Sequence, residues 1–90
     1  MSGLSHEAQN LVNHVTSAIG ALRSGGTYRA GEQRWAVATE RNAGIITGKI
    51  VAACTNHETL VEAEAELRQR GHEVHRDDAR GRLTVTPAAT

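Results

Sequence analysis

The apolar positions at the start of the chain recur in helical steps. Leu4, Ala8, Leu11, Val12, Val15, Ala18, Ile19 and Leu22 are spaced by three and four residues, which lines them along one face of a helix. Ser2 or Ser5 can supply the capping oxygen, and Ser24-Gly25-Gly26 stops the run. The spacing predicts a helix over residues 5–23. Its opposite side carries Gln9, Asn10, Asn13, Thr16, Ser17, Gly20 and Ala21, and with histidine counted neutral no charge falls between Ala8 and Leu22. Exposed helix faces ordinarily carry Glu, Lys and Arg, which favour helix and keep chains apart. A face of small, uncharged residues is either tolerated surface or a place where another chain approaches closely.

Residues 27–54 admit two readings. As strands, Gln33–Glu40 alternates Trp35, Val37 and Thr39 against Arg34, Ala36 and Ala38. Arg41-Asn42-Ala43-Gly44 turns, and Ile45–Cys54 returns. As a helix, Trp35, Ile46, Ile50 and Ala53 share a face, but Val37, Ile45, Val51 and Ala52 scatter, and Gly44 and Gly48 sit inside. Each interior glycine costs a helix about 1 kcal/mol against alanine, so the hairpin is preferred. A further short strand is admitted over 27–29, before Ala30-Gly31-Glu32.

A second helix follows. Asn56 is a good cap, Glu58, Glu62, Glu64 and Glu66 occupy the early and middle turns, and Arg68 and Arg70 the last. Those charges run with the helix dipole. Glu64 with Arg68, and Glu66 with Arg70, are four apart in the favourable order, and Gly71 ends the element. Leu60, Ala63 and Leu67 form a narrow buried stripe with Val61 at its edge, and the glutamates read as a solvated face. His72–Arg76 and Arg82–Thr86 then form a hairpin around Asp77–Gly81, with Val74, Leu83 and Val85 inward and Pro87 closing it.

The order is therefore α-β-β-α-β-β, which predicts one α+β domain over residues 1–90, with one antiparallel sheet of two hairpins and two helices on one face. Residues 1–4 and 87–90 are expected to fray.

Composition narrows the partners. Of the residues counted as hydrophobic, 14 are alanine; Ile, Leu and Val number 17, Phe is absent, and the large rings are Tyr28 and Trp35. A core this small in 90 residues leaves a thin margin of stability, which a second copy would widen. Ten basic residues balance ten acidic ones, so the surplus of positive charge that phosphates attract is missing. The longest apolar run, Ile50–Cys54, is far too short for a bilayer. Cys54 is the only cysteine, which excludes an intramolecular disulfide, and the N-terminus lacks the blocks of a secretory signal. A cytoplasmic location is expected.

Three constellations are candidates for chemistry. Cys54-x-x-His57 followed by His72-x-x-His75 has the spacing of paired zinc ligands. However, His57 and His72 flank one helix, about 15 residues or roughly 20 Å apart, and residues three apart in a strand face opposite ways. Cys54 beside Asn56 and His57 has the residue types of a thiol nucleophile with its base. Such groups are normally assembled by the fold rather than by adjacency, and the end of an apolar run suits a buried structural cysteine.

Third, if residues 34–54 were helical, the chain would read as three helices and a wing. Leu67-Arg68-Gln69-Arg70-Gly71 through Arg80-Gly81-Arg82-Leu83-Thr84-Val85-Thr86-Pro87 resembles the end of a winged-helix DNA-binding regulator. The recognition helix that this resemblance implies, residues 57–67, holds four glutamates and no Lys or Arg, the wrong sign for phosphates. There is no phosphate-binding glycine loop, and two aromatic residues are too few for base stacking.

The expected role is a non-catalytic protein-interaction module, serving as an adaptor, an inhibitor or a subunit of a larger assembly. No cofactor and no metal are expected. It is expected to form a homo-oligomer, most simply a dimer, through Asn10, Asn13, Ser17, Gly20 and Ala21 of the first helix.

Overall fold

The computed structural model describes residues 3–88. Its elements are α1 (His6–Arg23), β1 (Arg29–Gly31), β2 (Trp35–Asn42), β3 (Ile45–Cys54), α2 (His57–Gln69), β4 (Glu73–Asp77) and β5 (Arg82–Thr86). The strands form one antiparallel sheet in the order β1-β2-β3-β5-β4. The α+β architecture expected from the pattern is the one observed. The last strand returns inside the sheet: β5 pairs with both β3 and β4, leaving β4 at the edge.

Both helices are fixed by the signals that predicted them. Ser5 caps α1, its Oγ accepting from Ala8 N–H at 3.2 Å, while the alternative cap, Ser2, lies outside the described residues. Asn56 caps α2 by accepting from Glu58 N–H at 2.9 Å. Arg70 is the C-cap of α2, and Gly71 beyond it has φ 93°, a backbone that side chains resist.

The middle of the chain is the hairpin, and several boundaries move. The helical alternative for residues 34–54, and with it the three-helix arrangement of a winged helix, is replaced by β2 and β3. The extra strand runs over Arg29–Gly31 rather than 27–29, because its partners are Ala38, Val37 and Ala36 on β2. β2 begins at Trp35 and continues to Asn42, and the turn contracts to Ala43-Gly44, since Asn42 still pairs with Ile45. The register shifts between Thr39, opposite Ile50, and Arg41, opposite Ile46. Three β3 residues, Thr47 to Lys49, thus stand against Glu40 alone, a bulge. β4 begins at Glu73, one residue late, because the His72 N–H is taken by Leu67 O at the end of α2 at 3.2 Å.

The core lies between the helices and one sheet face. Leu11, Val12 and Val15 of α1 and Leu60, Ala63 and Leu67 of α2 meet Val37, Ile50, Ala52, Leu83 and Val85. Burying a residue of the Val or Leu class stabilises by about 1.5–3 kcal/mol, so this cluster is the main driving force for folding. Contacts are also made near both ends of the described residues. Leu4 packs on the core, Ser5 N–H donates to Glu62 Oε1 at 2.8 Å, and Arg23 Nη2 donates to Ala88 O at 3.0 Å. Met1, Ser2, Ala89 and Thr90 lie outside the described residues. No helix among the described residues is long and apolar enough to cross a membrane.

Candidate interaction surfaces

The uncharged side of α1 is only partly free. Asn13, Ser17 and Gly20 are exposed, whereas Asn10 and Ala21 are half-buried. Gln9 Nε2 donates to Asn13 Oδ1 at 2.9 Å. The Thr16 hydroxyl donates to Val12 O at 2.9 Å and accepts from Arg70 Nη1 at 3.1 Å. Arg70 therefore brings charge from the end of α2 to this side of α1. Asn10 borders a shallow recess with His6, Glu7, Glu32, Arg34 and Trp35.

The residues considered for metal or thiol chemistry are dispersed. Cys54 is buried, with its Sγ 4.0 Å from Glu7 Oε2, and Thr59 Oγ1 donates to the other oxygen of that carboxylate at 3.2 Å. His57 is exposed, its Nδ1 3.6 Å from Asp78 Oδ1. The Asn56 side chain is committed to its cap, so these neighbours do not form a relay with Cys54. His72 Nδ1 accepts from Ala88 N–H at 3.0 Å. Its pKa lies below 6.5 because burial, then Arg23, then Arg70 disfavour the charged ring. His75 is exposed on β4. Among the described residues, no three His, Cys, Asp or Glu side chains are arranged to hold a metal ion.

Polar side chains elsewhere serve the fold. His14 Nδ1 hydrogen-bonds the Tyr28 hydroxyl, and its ring lies 4.6 Å from that of Trp35, centroid to centroid. The Glu64 carboxylate accepts from Arg68 Nη2 at 2.8 Å and from Arg76 of the edge strand. The Arg76 pKa is raised, first by its hydrogen bond to Asp78 and then by the Glu64 charge, against a cost of burial.

The second sheet face is the surface that sequence reasoning missed. Alternation along the strands sends Trp35, Val37, Ile50, Ala52, Leu83 and Val85 to the helices and their neighbours outward. One outward row runs Arg29, Ala38, Val51, Thr84 and His75 across all five strands; the next runs Gly31, Ala36, Ala53, Arg82 and Asp77. Ala36, Ala38, Val51, Ala53 and Thr84 make its middle small and uncharged apart from Arg82 on β5, and no helix among the described residues covers it. The signal was present in the alternation of Ala36 and Ala38 with Trp35 and Val37, and both helices pack on the Trp35 and Val37 side.

Comparison with protein-family models, with curated proteins and with solved structures finds no match to this chain.

Proposed function

We propose that this chain is a non-catalytic protein-interaction module that self-associates in the cytoplasm, and that its folded unit serves as an adaptor, inhibitor or assembly subunit. The observation that carries this is the one-sided sheet. Both helices pack on one face, and the other presents Ala36, Ala38, Val51, Ala53 and Thr84 outward. A non-catalytic role agrees with side chains whose polar atoms are spent on caps, turns and ion pairs. The single thiol of Cys54, with no disulfide partner, suits a reducing compartment.

The sheet offers more area than the α1 side. At about 4.8 Å between strands and 3.3 Å per residue, five strands make a platform about 24 Å wide and about 20 Å long. The exposed side of a single helix is about 10 Å wide. Asn10, Asn13, Ser17, Gly20 and Ala21 form the second, narrower surface. Sedimentation velocity at 5–100 μM tests the proposal: a concentration-dependent dimer supports it, and a monomer throughout overturns it.

A further inference from the structure

We infer that the partner on the open sheet face is a second copy of this chain, packed face to face about a two-fold axis that runs along β3. This rests on the chain self-associating, and it adds the surface, the symmetry and the charge pairing.

Apart from Arg82 on β5, which stands beside Asp77 of β4 in the register, the charges of these rows are set at the edges. Arg29 stands on the β1 edge, exposed and without an ion pair among the described residues. Glu73, also exposed and without an ion pair among them, and Asp77 stand on the β4 edge, either side of His75. Between the edges, the row from Ala38 through Val51 to Thr84 carries no charge.

Packing a face on its own copy allows two simple orientations. With the axis across the strands, each edge meets itself: Arg29 faces Arg29, and the acidic β4 edges face one another. Like charges held together cost free energy. With the axis along β3, the β1 edge of each copy meets the β4 edge of the other. Arg29 then faces His75 of the second copy. Glu73 of that copy lies two residues along the strand, about 6.6 Å away, within reach of an arginine side chain. The pair forms twice, once at each edge. Val51 and Ala53 meet their own counterparts on the axis, where small side chains allow the sheets to close. This is the aligned packing of two twisted sheets. Lys49 also approaches its counterpart near the axis, but it lies at the bulge, beyond the residues of β3 that pair with β5, where its side chain can turn to solvent.

The test is sedimentation of the full chain and of single variants, with circular dichroism as the control for folding. Arg29→Glu and Glu73→Lys should each weaken the dimer by tenfold or more, and the double variant Arg29→Glu/Glu73→Lys should recover most of that loss. Ala53→Arg, at the centre, should leave a folded monomer. Raising the salt concentration should weaken the wild-type dimer, since rim pairs are screened. Tighter association of the neutral variant Arg29→Gln, which would relieve Arg29 facing Arg29, would support the crossed axis and overturn the proposed symmetry. A wild-type dimer that Ala53→Arg leaves intact and Ser17→Arg dissociates would move the contact to α1, retaining self-association and rejecting this interface. Absence of recovery in the double variant rejects the pairing, even if Ala53→Arg fails to fold. A monomeric wild type removes self-association itself.

Discussion

Glu64, in the middle of α2, accepts a hydrogen bond from Arg76 on the edge strand β4. The same carboxylate takes Arg68 at 2.8 Å, and the residue is 8% exposed. Two guanidinium groups thus hold one buried acid and tie the edge strand to the helix that covers it. Removing the charge leaves those groups without their shared acceptor, which costs more than the pair contributes. Glu64→Ala is expected to lose about 2–3 kcal/mol of stability. Urea denaturation measures it, and a midpoint equal to wild type would show the cluster to be energetically neutral.

His72 is expected to make the fold sensitive to mild acid. Its Nδ1 accepts the Ala88 N–H, a role closed to the protonated ring. Its folded pKa lies below the ordinary 6.5 because of burial, Arg23 and Arg70. The neutral form is therefore the one that the fold favours. The contribution is complete above pH 6.5 and is lost as pH falls through the lower folded value. Thermal melts at pH 7.5 and pH 5.0 should show a larger drop for wild type than for His72→Asn, whose amide accepts the same bond without titrating. Equal drops would assign the acid sensitivity to other groups.

Asn56 accounts for the start of α2. Its side chain satisfies Glu58 N–H, one of the donors that a helix leaves unpaired. Asn56→Ala should cost about 1 kcal/mol, with Asn56→Asp nearly neutral. Chemical denaturation of the two variants side by side provides the check: a loss shared by both would place the effect outside the cap.

These residues also show what a linear reading can reach. Caps, helix stripes and hairpin alternation are local, so Ser5, Asn56, Gly71 and the Val74–Leu83–Val85 set were legible. The burial of Glu64 was not, because in sequence it is one of four similar glutamates. Its difference comes from Arg76, twelve residues on, which reaches it only once β4 lies beside α2. The approach of Arg70 to Thr16 depends in the same way on helix packing. The open sheet face was half-legible: Ala36 and Ala38 mark an outward side, but the five-strand platform needs β5 to return between β3 and β4. The pairing register that places Arg29 opposite Ala38, and Glu73 opposite Thr86, has no local signature.

The β2–β3 turn carries strain that a substitution can release. Asn42 pairs with Ile45, so Ala43-Gly44 is a two-residue turn, with φ of 54° at Ala43 and 82° at Gly44. Such turns match the twist of a hairpin because both residues are left-handed. Glycine adopts that backbone freely, whereas an alanine pays about 1–2 kcal/mol for the crowding of its Cβ against the carbonyl oxygen. Asparagine tolerates the region better, and Asn-Gly is the favoured pair at these positions. Ala43→Asn should therefore raise stability by about 0.5–1 kcal/mol. A β-branched residue is poorest in this region, so Ala43→Val should lower it. The tip is exposed, so neither change disturbs the core, and both should read out as shifts in the urea midpoint at constant slope. If Asn and Val at this position give the same midpoint as alanine, the turn is not held in the left-handed geometry.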